Sequence, residues 1–250
     1  VVNLMNEERT KILVIVEGSK TDVRLMEHLL SIYGIDEKHQ IVSYNTNIYS
    51  LYNEMFREVD PENIDILQLM KEHENDLSKK EIFDVYYSDI LLIFDFDPHD
   101  PQFLDSKISE MLNFFVESSD MGKLYLNYPM VEAFYHMKSI PDEEYESYIV
   151  TMDELIAKKY KQRVNYENRN HDYSKFAVNI SECNTVICQN IDKSWKLCGL
   201  QRTFNNEDTD LPDSNEILQN QLLKMNLKNE LAVLCTCVFY IIDYNAKLIL

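Results

Sequence analysis

The sequence predicts an α/β chain in which an open parallel sheet flanked by helices is followed by a mostly helical C-terminal portion. Three observations carry this. Short β-branched runs alternate with stretches of helical periodicity through the first half. The most apolar of these runs are apolar at nearly every position, as strands buried on both faces are. From about Thr151 onward helical spacing takes over.

Taken in order, residues 11–16 form a wholly apolar strand candidate. Residues 21–33 follow with Val23, Met26, Leu29 and Leu30 at helical spacing and Gly34 as the stop, completing a βα unit. Residues 39–44 read as a second strand. Helical patterns at 48–56 and 64–73 and a polar stretch to Lys80 then make an insert at about 46–88. Residues 89–94 form a third strand, 103–116 a helix and 123–128 a fourth strand, after which Pro129 is expected to open another helix. Beyond it, 152–160, 173–188, 214–227 and 230–242 are all more helix-like than strand-like, and 205–213 is the clearest loop.

Composition narrows the function classes. The chain has 250 residues, 45% of them apolar, with only 4 Gly and 6 Pro, which excludes disordered, collagen-like and linker sequence. Against 43 Asp plus Glu stand 24 Lys plus Arg, a net charge of −19, so the chain does not coat nucleic acid by charge alone. A nuclease that takes its positive charge from bound metal remains open. Five cysteines, an odd set without a Cys-x-x-Cys pair, are expected to be reduced and mostly buried. The charges at Glu7, Glu8, Arg9 and Lys11 leave no secretory signal, and the longest apolar run, 231–242, is too short for a membrane span. The expectation is a cytoplasmic protein with no membrane contact, with Met5 one option for the natural start. There is no P-loop, no Gly-x-Gly-x-x-Gly and no serine elbow, so an ATP requirement would fall to a partner.

Two strand ends carry the chemistry. Glu17-Gly18 follows the first apolar strand, and Asp95-Phe96-Asp97 ends the third. A strand period of two is expected to put Asp95 and Asp97 on one side, with Pro98 closing the strand. In an open α/β sheet ligands bind outside the carboxyl ends of strands, so the three acids converge on one edge. Such carboxylates repel one another unless a cation neutralises them, and hard oxygen ligands suit Mg²⁺ or Mn²⁺. Metal ions held there favour phosphoryl transfer, a pair about 3.5–4 Å apart serving the attacking and leaving oxygens of a phosphodiester.

Val14-Ile-Val-Glu17-Gly18-Ser19-Lys20-Thr21-Asp22 resembles the first motif of the Toprim domain, and Leu91-Leu-Ile-Phe-Asp95-Phe-Asp97 resembles its Asp-x-Asp motif. The resemblance covers roughly residues 11–128. Asn127-Tyr-Pro-Met-Val-Glu132-Ala-Phe-Tyr-His136 is similar to the Asn-Pro-x-x-Glu segment of RloB-like and OLD-like proteins of bacterial anti-phage defence, departing from it in Tyr128 and in the helical insert. The resemblance implies a Toprim-like catalytic domain over 1–140 and a helical portion over 141–250. It implies a metal-dependent endonuclease acting on DNA or RNA, with Glu17, Asp95, Asp97 and Glu132 as metal ligands. Glu17, Asp95, Asp97 and Lys175 would form the catalytic set, Lys175 resembling a lysine that OLD-type nucleases use near the scissile phosphate. It further implies work beside a separate ATPase subunit, and a homo-oligomer is an open option.

Lesser candidates are Asp22 beside the metals, Lys20 and Arg24 on phosphate, Asp100 extending the acidic cluster, His136 behind Glu132, and Trp195 for base stacking. The alternative from another class is a non-catalytic Toprim-fold scaffold whose C-terminal part forms a subunit interface. A phosphatase of haloacid-dehalogenase type, with Asp95 as nucleophile, fits poorly because the pair sits on the third strand and Pro98-His99-Asp100 follows it.

Overall fold

The computed structural model describes residues 11–57, 60–200 and 211–249. The expected start at Met5, the charges at Glu7, Glu8 and Arg9, and residues 205–210 of the expected loop lie outside the described residues.

β1 (Ile12–Val16) turns at Glu17-Gly18 into α1 (Thr21–Ile32), which leads to β2 (His39–Ser43). α2 (Ile48–Phe56), α3 (Ile66–His73) and α4 (Leu77–Lys80) fill the connection to β3 (Asp89–Asp95). α5 (Asp105–Phe114) then precedes β4 (Lys123–Asn127). Asn47, Asp65 and Asp76 start the three insert helices by accepting backbone N–H bonds at their N-termini.

All four strands are parallel, in the order β2-β1-β3-β4, with Val16 level with Ser43 on one side and Ile93 on the other. Every residue of β1 is buried, which explains its unbroken apolar sequence. Chain direction across the sheet reverses at β1: β2 lies to one side of it, β3 and β4 to the other. Right-handed crossovers therefore place α1 on one face and the returning connection with α5 on the other, and α2 packs on α5. The gap between the carboxyl ends of β1 and β3 is thus the topological switch point of the sheet, where α/β folds bind ligands.

The rest of the chain adds β5 (Ile149–Thr151), α6 (Met152–Ile156), α7 (Tyr160–Glu167), α8 (Ile180–Leu197), α9 (Ser214–Lys228), β6 (Glu230–Ala232) and α10 (Tyr240–Asn245). It is helical in the main, but β5 and β6 pair antiparallel, and Leu234 bridges to Tyr128 at the end of β4. This part lies along the sheet. Asp243 accepts bonds from Lys123 and Tyr125, Tyr240 meets His39, and Asn184 accepts from Tyr33.

Three local expectations differ from what is observed: of the run 173–188 only the part from Ile180 is α-helix, after a 3₁₀ turn at Tyr173–Lys175, and two further segments depart as well. The run 230–242, read as helical, begins as strand β6 and continues extended to the bridge at Leu234; an apolar run buried on all sides has no periodicity by which to tell the two apart. Pro129 follows a cis peptide bond, and the turn after it, Val131–Tyr135, is 3₁₀ rather than α. The five cysteines, all among the described residues, form no disulfide. Among the described residues no helix is long and apolar enough to cross a membrane.

Candidate metal centre at the carboxyl edge of the sheet

Glu17 leaves β1 with its backbone still in the ladder, its N–H donating to the Ile93 carbonyl at 3.1 Å. Its side chain turns toward β3 and accepts the Asp95 N–H on Oε2 at 3.1 Å. Gly18 is required beside it, because a Cβ there would stand 2.7 Å from the Asp22 carboxylate in the first turn of α1. Asp95, the last residue of β3 and buried, accepts the Val131 N–H at 2.8 Å, which ties the 3₁₀ turn after β4 to the site.

Asp97 reaches the same place by a different route from the strand alternation expected of it. β3 ends at Asp95; Phe96 and Asp97 then donate to the carbonyls of Asn127 and Pro129, and Asp97 takes a left-handed φ of 37°. That conformation is unfavourable for a residue with a side chain, and strain of this kind gathers at functional sites. The result is that one carboxylate oxygen from each of Glu17, Asp95 and Asp97 lies within 4.8 Å of the others.

Glu132 is buried at the edge of this group. Its Oε1 lies 3.0 Å from the amine of Lys161 in α7, and its Oε2 has no hydrogen-bond partner. Asp22 Oδ1 and Asp97 Oδ1 are likewise buried without a partner. Burial, then the Asp97 charge and more weakly that of Asp22, push the Glu17 carboxyl up to about 8, against the Asp95 N–H bond that favours its charged form. Burial also lifts Asp97 to about 7 and Asp22 to about 6, and burial with the Glu17 and Asp97 charges raises Asp95. Lys161 responds in the opposite sense: desolvation works against its charge, but Glu132, with Asp95 and Asp97 behind it, raises it above the ordinary lysine value.

These residues fit a hard divalent cation. Among the described residues the three converging donors are all carboxylate oxygens, with the His99 Nδ1 3.9 Å from Asp97 Oδ1, and three buried oxygens in and around the group have no hydrogen-bond partner. Mg²⁺ or Mn²⁺ suits such a set, and its charge would lower the carboxyls that crowding has raised.

The other candidates fall as follows. Lys175 is exposed and its amine lies 3.4 Å from Asp172, so the lysine at the acids is Lys161 instead. His136 is fully buried, bonded to Tyr160 at 3.2 Å and Glu167 at 2.9 Å, and burial depresses it to about 4. Asp100 accepts from Asn47 and from the Gln102 N–H, fastening the loop rather than joining the cluster. Lys20 and Arg24 are exposed, and Trp195 packs against the core. The sequence reading missed Lys161; the signal that could have found it is the basic run Lys158-Lys159-Tyr160-Lys161 with Arg163, a dense cationic stretch in an acidic chain. Comparison of the chain with protein-family models, with curated proteins and with solved structures finds no match.

Proposed function

We propose that the chain is a Toprim-type, Mg²⁺- or Mn²⁺-dependent nuclease that cleaves phosphodiester bonds of DNA or RNA. The observation that carries this reading is the convergence of Glu17, Asp95 and Asp97 at the switch point of the sheet. Glu17, Asp95 and Asp97 would hold the cation, with Glu132 beside them as a further ligand. When bound, the cation supplies Lewis-acid stabilisation of charge on the phosphoryl oxygens. Lys161, with a raised affinity for its proton, stays cationic and can contact a phosphate oxygen once a ligand draws it from Glu132. Glu17 can orient the attacking water, and the Asp95 backbone N–H, donating to its Oε2, fixes its position.

The resemblance of the Glu17, Asp95-Asp97 and Asn127–Glu132 segments to Toprim and OLD-like sequences supports the same reading and extends it to an anti-phage effector. The net charge of −19 favours a basic or ATP-hydrolysing partner that brings the acidic subunit to its polyanionic substrate. Cleavage of plasmid DNA, single-stranded DNA, tRNA and ribosomal RNA with Mg²⁺ or Mn²⁺ tests it. Activity on at least one substrate is expected, lost in Glu17→Ala and in Asp95→Ala with the fold intact; full activity in either variant overturns the reading.

The alternative from another class is a non-catalytic scaffold of the same fold. A thermal midpoint unmoved by Mn²⁺ would select that reading.

A further inference from the structure

On the β2 side of the acids lies a half-open cleft of about 380 Å³, walled by the end of β2 and by the insert helices. Its lining includes Tyr44, Asn45, Glu54, His73, Glu74 and Asn75, and among the described residues neither Lys nor Arg lines it. The polar groups are organised: Tyr44 donates its hydroxyl to Glu54 Oε2 at 2.8 Å, and His73 Nε2 meets the same oxygen at 2.7 Å. Both contacts fall on Oε2, which leaves Oε1 to other donors. The rings of Tyr44 and His73 lie tilted with centroids 5.3 Å apart.

The cleft is tied to the acids through backbone. The Tyr44 N–H donates to the Val16 carbonyl and the Asn45 N–H to that of Glu17, at 2.8 and 2.9 Å. Ser43 is level with Val16, so the lip of the cleft lies about one strand spacing, roughly 4.7–4.9 Å, from the strand that carries Glu17. Along the carboxyl edge of the sheet the order is therefore cleft, Glu17, Asp95 with Asp97, then Glu132 with Lys161. A phosphate at the acids would have cationic Lys161 on one side and a neutral-to-acidic aromatic cleft on the other.

We propose that this cleft binds the nucleoside next to the scissile phosphate and prefers adenine or cytosine, whose exocyclic amine stands where uracil and thymine carry a carbonyl. This rests on the nuclease reading for its place in a reaction but not for its binding test. A lining without cations rejects phosphate, and its volume admits a base with its sugar. The Glu54 and Glu74 carboxylates accept hydrogen bonds only, so they pair with the amine of adenine or cytosine and repel the carbonyl that uracil and thymine present at the same position. The part-exposed His73 imidazole, backed by the buried Tyr44 ring, supplies ring surface for stacking, and the Asn45 and Asn75 amides supply both donors and acceptors.

The test is a titration of the full chain, without metal, with adenosine, cytidine, uridine and thymidine, following the His73 imidazole resonance by NMR. Adenosine and cytidine are expected to shift it and to bind about fivefold or more tightly than uridine and thymidine. Glu54→Gln, with its thermal midpoint checked against the parent, is expected to lose that preference. No shift with any nucleoside, equal shifts with all four, or an undiminished preference in Glu54→Gln would each overturn the proposal. Cleavage and its loss in Glu17→Ala are read in a separate assay, so failure of the nuclease reading and failure of the cleft are told apart.

Discussion

At Glu17, burial and the Asp97 charge act in the same direction, and the carboxyl rises to about 8, with Asp97 at about 7 and Asp22 at about 6. A carboxyl raised in the folded state holds protons that the unfolded chain releases. Its favourable contribution is complete below the unfolded values near 4 and is lost as pH rises through the folded ones. The metal-free protein should therefore unfold at lower urea near pH 8 than near pH 5.5, and Mn²⁺ should restore more stability at the higher pH. Asp95→Asn removes one of the crowded charges. It is expected to raise the metal-free midpoint near pH 8 and to abolish the Mn²⁺ response; a midpoint flat in pH and indifferent to Asp95→Asn would disprove crowding as the cause. Glu17 and Asp95 were legible in the sequence because each follows directly on an apolar run. Asp97 was legible as a member of the group but not in its geometry, since its left-handed turn depends on hydrogen bonds to Asn127 and Pro129 from the neighbouring strand.

The element that brings Lys161 to the acids is α7, and His136 anchors it. The imidazole bridges Tyr160 at one end of the helix and Glu167 at the other, and its ring lies 4.9 Å from that of Tyr148. His136→Ala would remove both bonds and leave a buried void, a loss of about 2–4 kcal/mol in urea unfolding. Because burial holds this histidine at about 4 rather than 6.5, its contribution is present above pH 6.5 and lost as pH falls toward 4. The parent should show an acid limb in that window that is weaker in His136→Ala; an unchanged limb would mean that another group carries it. The two central strands, β1 and β3, could be read as elements because burial on both faces keeps their sequences apolar, whereas edge strand β2 is half-buried throughout and mixed in sequence. α7 could not be placed from sequence, because its polar residues show no clear apolar stripe and its position is set by contacts to the turn after β4. Strand β6 was hidden for the converse reason, lying in a run too uniformly apolar to show a period.

Across the whole molecule a net charge of −19 repels itself, and Glu17, Asp95 and Asp97 gather three of its carboxyls at one place. Two kinds of cation should therefore stabilise the fold, and they can be separated. Monovalent salt screens the general field: raising KCl from about 10 to about 150 mM shortens the Debye length from about 30 to about 8 Å. A gain of order 1 kcal/mol, about 2–4 °C in thermal midpoint for a chain of this size, is expected. Asp95→Asn should gain nearly as much, because screening acts on the whole surface. Mn²⁺ at constant high KCl should add a further, saturating rise that follows site occupancy, and only where the cluster is intact. If KCl alone reproduced the Mn²⁺ effect, or if Asp95→Asn responded to Mn²⁺ as the parent does, the divalent ion would be acting as a counter-ion and the three carboxylates would not be a metal centre.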